Sequence, residues 1–132
     1  IEVSYLLQKM EQFSGIAILA TNLRANLDAA FIRRLAFLVH FPLPDQASRE
    51  RIWRSVWPDS VPMEADVDFT LLSARFPLSG GNIRNMALAA AFSAAHHGGK
   101  VGMTDLVAAA RREYQKIGKE LTAADLGPLA ER

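Results

Sequence analysis

Asn22 stands just beyond the apolar run Ile16-Ala17-Ile18-Leu19-Ala20, after Thr21. Its amide can both donate to and accept from a water or a phosphate oxygen. Arg33 and Arg34 follow Asp28-Ala29-Ala30-Phe31-Ile32, and a guanidinium keeps its charge while offering a planar fork of donors to phosphate. Ser79-Gly80-Gly81-Asn82-Ile83-Arg84 opens a helix with two glycines. There a backbone can approach another group closely, and free first-turn amides suit an anion. Each piece also has a plain structural use. A turn asparagine bonds its own backbone, paired arginines at a helix end offset its dipole, and a loop-to-helix start can carry a surface arginine.

Other polar residues do not assemble into a centre. His40 is alone in its segment, and the adjacent His96 and His97 point to different helix faces, so zinc-ligand spacing is absent and no metal site is expected. Asp66 and Asp68 resemble an acid/base pair, but at a helix start carboxylates cap free amides and offset the dipole. Trp53 and Trp57 could face a partner, although burial is the simpler account.

The elements that must position these residues follow from pattern. Val3, Leu6, Leu7, Met10 and Phe13 recur at helical spacing, and Ser14-Gly15 ends that helix. Ile16–Ala20 reads as a strand covered on both faces, and Phe37–Phe41 as another, with Asp28 capping a short helix that carries Arg33 and Arg34 between them. Pro42-Leu43-Pro44 then interrupts regular structure. Beyond it Asp45, Asp68 and Thr104 are predicted to cap helices, a third helix runs from Ser79 to His96 and is ended by His96-His97-Gly98-Gly99, and the tail from Leu121 is predicted to fray. Lys plus Arg number 15 against 14 for Asp plus Glu, so the whole-chain field gives no reason to expect nucleic acid. Cysteine is absent, which is compatible with a reducing compartment. No stretch reaches the roughly 20 apolar residues of a membrane span, and a cytoplasmic location is expected.

In this order the motifs resemble the second half of the catalytic module of AAA+ ATPases, over almost the whole chain. The resemblance implies an α/β fold: the C-terminal part of a P-loop NTPase parallel sheet over residues 1–44, then an all-α lid subdomain over 45–132. It implies that Asn22 is sensor 1, orienting the attacking water beside the γ-phosphate. Arg33 and Arg34 would be arginine fingers, reaching a neighbouring subunit's pocket as in katanin- and spastin-like members. Gly80, Gly81 and Arg84 would form the sensor 2 region. Pro44-Asp45-Gln46-Ala47-Ser48-Arg49-Glu50-Arg51-Ile52 is similar to the start of the family's lid, with Ile52 and Val56 on the adenine ring, a place that core packing explains equally well. Two departures stand out. The common AAA pattern sets Pro-Gly between its arginines, whereas these are adjacent, which bears on whether both act. Many AAA members have Ala-Asp and no sensor 2 arginine, so Gly81, Asn82 and Arg84 look more like the wider AAA+ group.

The resemblance further implies ATP and Mg²⁺ as cofactors, a homo-hexameric ring and a protein substrate to be remodelled or disassembled. Ala20-Thr21-Asn22-Leu23-Arg24 and Arg111-Arg112-Glu113-Tyr114-Gln115-Lys116 look most like bacterial AAA proteins, some of which accompany contractile injection systems. The sequence contains no Gly-Lys-Ser/Thr loop for phosphates and no acidic pair after a strand for magnesium. It opens at Ile1, inside a helical pattern. The expectation is therefore a piece of a longer ATPase, inactive alone. The competing expectation is a noncatalytic helical protein-interaction module or scaffold. A DNA-acting relative is disfavoured by the near-neutral charge.

Overall fold

The structure, a computed structural model, describes residues 2–22 and 29–131. The chain divides into two compact units, Ile1–Phe41 and Pro42–Arg132.

The first unit holds helices α1 (Glu2–Gln12) and α2 (Ala29–Ile32). Arg33 and Arg34 lie in the turn that closes α2, where the Arg33 amide still bonds the Ala29 carbonyl at 3.2 Å. The predicted cap Asp28 lies outside the described residues, as do Leu23 and Arg24.

The expected α/β architecture is not found. Among the described residues there is no β-strand, and the parallel sheet is replaced by helices and extended coil. Ile16–Ala20 and Phe37–Phe41 do lack helix, but neither has a neighbouring strand to take its backbone hydrogen bonds. An apolar run becomes a strand only through such a ladder. Their side chains are correspondingly open, with Ile16 90% and Phe37 89% exposed. A single parallel bridge, Met63 to Val101, joins two loops in the second unit.

That second unit is helical. α3 (Gln46–Ser55), α4 (Phe69–Arg75), α5 (Gly80–His97), α6 (Met103–Lys116) and α7 (Ala123–Leu126) are followed by a 3₁₀ turn over Gly127–Leu129. Asp45 and Asp68 cap α3 and α4 by accepting the amides of Ser48 and Leu71, at 2.7 and 2.9 Å. Gly98, at φ 158°, follows the last turn of α5. Alanines 87, 90 and 94 on α5 and 109 and 110 on α6 are buried, so small side chains let these two helices approach closely. Trp53, Leu72, Phe76, Ile83, Met86 and Leu106 fill the rest of the core and are completely buried. Trp53 stacks on Phe69, and Phe76 meets Tyr114 edge-on. Burial, the simpler reading of Trp53, is thus what is found.

Two boundaries differ from the sequence reading. Thr104 does not cap α6: the cap position is Gly102, whose amide is bonded by the Asp105 carboxylate at 3.1 Å. Asp66 accepts the next amide, that of Met103, at 3.2 Å. Carboxylates from within and beyond the helix satisfy its first donors, so a hydroxyl cap is not needed. The tail does not fray either. Thr122 and Asp125 form a reciprocal capping box at the start of α7, and Leu126 and Leu129 insert into the core. No helix among the described residues is long and apolar enough to cross a membrane.

Candidate functional site

The start of α5 is closed by a reciprocal capping box. Ser79 Oγ accepts the Asn82 amide at 3.2 Å, and Asn82 Oδ1 accepts in return from the Ser79 amide at 3.3 Å. Asn82 Nδ2 then donates to Glu113 Oε1 on α6 at 2.9 Å, joined there by Asn85 Nδ2 at 3.2 Å. Lys116 Nζ donates to Glu113 Oε2 at 2.9 Å. Burial pushes the Glu113 carboxyl up, but the bonds from Asn82, Lys116 and Asn85 outweigh it and hold the group below its ordinary value. Glu113 is 4% exposed. An acid buried between two helices thus anchors the first turn of α5.

Two of the predicted residues sit on that turn and a third, Arg84, just after it. Gly80 is half-buried, Gly81 and Arg84 are exposed. A methyl group on Gly80 would lie 3.5 Å from Ile52 Cδ1, an ordinary contact, so the predicted adenine-facing residue on α3 and the glycine pair on α5 meet across 28 positions of sequence. Val56, half-buried, caps the C-terminus of α3 one turn beyond Ile52. Neither Gly80 nor Gly81 has a positive φ. A Cβ at Gly81 would meet only Ser79 Oγ, at 3.8 Å. The fold therefore does not require glycine at either place, although glycine in a helix costs up to about 1 kcal/mol relative to alanine. The Arg84 side chain makes no ion pair among the described residues.

The other three predicted residues belong to the first unit. Asn22 is exposed in a bend. Arg34 Nε pairs with Glu11 Oε1 of α1 at 2.8 Å, both side chains being about half exposed. Arg33 is exposed and makes no ion pair among the described residues. The pairing of Arg34 separates two arginines that the sequence leaves equivalent.

Sequence reasoning passed over Glu113, Asn85 and the pairing of Asp105 with His97. Asp105 Oδ1 lies 2.7 Å from His97 Nε2, tying the end of α5 to the start of α6. Burial raises the Asp105 carboxyl, but bonds from Ser93, His97 and the Gly102 amide bring it below its ordinary value. Two acids in a segment otherwise basic were the available signal. Among the described residues no group of three or more His, Asp or Glu could hold a metal ion. Two depressions in the helical unit lie elsewhere, one around Glu64, His97 and Lys100 and one around Pro77, Tyr114 and Leu121.

Compared with known proteins, the chain matches no family model and none of the curated sequences.

Proposed function

We propose that the helical unit Pro42–Arg132 is the nucleotide-contacting lid of an AAA+ ATPase, a cytoplasmic ring motor that remodels or disassembles protein. In this reading the adenine of ATP rests on Ile52 and Val56, the backbone of Gly80 and Gly81 approaches the nucleotide, and Arg84 contacts a phosphate of Mg²⁺-bound ATP. Asn22 positions the attacking water, and Arg33, which makes no ion pair among the described residues, serves as the finger toward a neighbouring subunit. Arg34 can join it only after leaving Glu11.

The observation that carries the proposal is the glycine pair. Gly80 and Gly81 weaken a helix start without being needed by its backbone or its neighbours. Gly80 also adjoins Ile52, and the pair precedes Arg84, whose side chain makes no ion pair among the described residues. A close-approaching ligand accounts for all three features together.

The test is a double substitution, Gly80→Ala with Gly81→Ala. It should raise the stability of the chain by up to about 1 kcal/mol. In wild type, millimolar ATP should shift the amide resonances of Ile52, Gly80, Gly81 and Arg84. The double variant should lose those shifts while melting higher. Shifts confined to other parts of the molecule, no shifts in wild type, or a variant that keeps them would refute the lid assignment. With no phosphate-binding loop in the sequence, no ATP turnover is expected from this chain by itself.

A further inference from the structure

Where α4 and α6 end and α7 begins, the helical unit holds a depression of about 570 Å³, a volume within the range of small-ligand sites. Its wall is apolar at Leu78, Ile117 and Leu121 and polar at Arg75, Tyr114 and Asp125. Leu78 and Tyr114 are buried, Arg75 and Leu121 are half-buried, and Ile117 is 47% exposed.

The fold does not use up the polar groups of this wall. Arg75 stands in the last turn of α4 and makes no ion pair among the described residues. Its guanidinium lies over Gly127, where an added Cβ would come 2.5 Å from the guanidinium carbon. Asp125 lines the same depression outside ion-pair distance of Arg75. Its Oδ2 accepts the amide and the hydroxyl of Thr122 at 2.9 and 2.7 Å, and neither bond uses Oδ1. Burial above all, then the Asp125 carboxylate, pushes the Tyr114 phenol up, with Arg49 opposing, so the phenol is a hydrogen-bond donor at neutral pH. Lys119 and Glu120 complete the charged lining, which thus holds two cations and two carboxylates.

We propose that this depression binds a small zwitterion with an apolar body, the chemistry shared by an apolar amino acid and an apolar dipeptide. The ligand's carboxylate pairs with the planar fork of Arg75, its ammonium group with Asp125 Oδ1, and its apolar part covers Ile117 and Leu121. The balance of the lining selects for both charges on one molecule. A simple anion would face Asp125 and Glu120, and a simple cation would face Arg75 and Lys119. None of Ile52, Gly80, Gly81 or Arg84 lines the depression, so the proposal stands apart from the nucleotide reading.

The test titrates leucine and leucyl-leucine onto the full chain, each beside its N-acetylated and its C-amidated form, and follows amide resonances. At millimolar concentration a free zwitterion should shift the amides of Arg75, Ile117, Leu121 and Asp125, and the tighter of the two ligands distinguishes amino acid from peptide. Each capped form lacks one charge and should bind about tenfold more weakly. The losses should also be paired with side chains. Arg75→Gln should no longer discriminate amidated from free ligand, and Asp125→Asn should no longer discriminate acetylated from free ligand. A purely structural role for either residue does not produce that pairing. Asparagine keeps an acceptor for Thr122, unchanged circular dichroism would show that both variants remain folded, and the capped ligands test the wild-type chain directly. The proposal falls if neither zwitterion shifts these amides, if the shifts map elsewhere, if the capped forms bind as tightly as the free ones, if both variants discriminate capped from free ligand as wild type does, or if inorganic phosphate alone binds as tightly.

Discussion

Replacing Glu113 tests how the start of α5 is held. Its carboxylate accepts from two side-chain amides and one ammonium group and is 4% exposed. A hydrogen bond to a charged group contributes about 1.5–3 kcal/mol, and burial of the acid subtracts from that sum. Lys116 is 64% exposed, so its share is close to that of a surface pair, about 0–1 kcal/mol. The net loss expected for Glu113→Ala is about 2 kcal/mol, or roughly 8–16 °C in melting temperature for a unit of this size. Glu113→Gln, which keeps an acceptor for one asparagine but loses the charge, should lose about half as much energy. The sign of the pH effect follows from the bonding. The folded carboxyl ionises below its ordinary 4.5, so its contribution is complete above the unfolded value and disappears as pH falls through the lower folded one. The stability gap between wild type and Glu113→Gln must therefore close on acidification. Urea titrations across that range, followed by circular dichroism, read it directly. A neutral-pH gap under about 0.5 kcal/mol for Glu113→Ala, or a gap to Gln that widens in acid, would refute the reasoning.

Two further substitutions probe the frame around the site. Arg49 on α3 donates through Nε to the Ser73 carbonyl at 2.9 Å and through a terminal nitrogen to the Pro44 carbonyl at 2.7 Å, so Arg49→Ala should cost about 2 kcal/mol in urea titration. Gly127 has a φ of 52°, and a Cβ there would lie 2.5 Å from the Arg75 guanidinium carbon. The guanidinium can swing aside, so the cost comes from the positive φ: Gly127→Ala should destabilise by about 1–3 kcal/mol and increase amide exchange over α7.

Local signals made much of the helical unit legible. Asp45 and Asp68 each have a side-chain oxygen placed three residues before a first-turn amide, so α3 and α4 can be started from sequence; α5 is legible from its Ala-, Leu- and Met-rich composition beginning at Ser79, and Gly98 marks its end. The extended runs were not legible as strands or coil. Ile16–Ala20 has strand composition, but a strand also needs a neighbour, and composition carries no information about one. Thr104 was a plausible cap that lost to carboxylates, one of them, Asp66, 37 residues from the amide it binds. The tail reads as polar and loose, yet two leucines and a Thr-Asp box fix it. At the candidate site, Gly80, Gly81 and Arg84 were readable as a motif. Glu113 was not, because the asparagines that reveal its role lie 31 and 28 positions away.

These long-range ties give the helix entry its character. Glu113 is enclosed by Asn82, Asn85 and Lys116, and Arg84, one turn into α5, is exposed and makes no ion pair among the described residues. The arrangement fixes the backbone of Gly80 and Gly81 from within and leaves the positive charge on the next turn uncompensated. Ordering such a backbone during folding lowers the entropy lost when a ligand arrives. A loosened first turn in Glu113→Ala should accordingly weaken ATP-induced shifts at Gly80 and Gly81 although Glu113 itself touches neither residue's ligand, coupling the stability of the hairpin to the function of its tip.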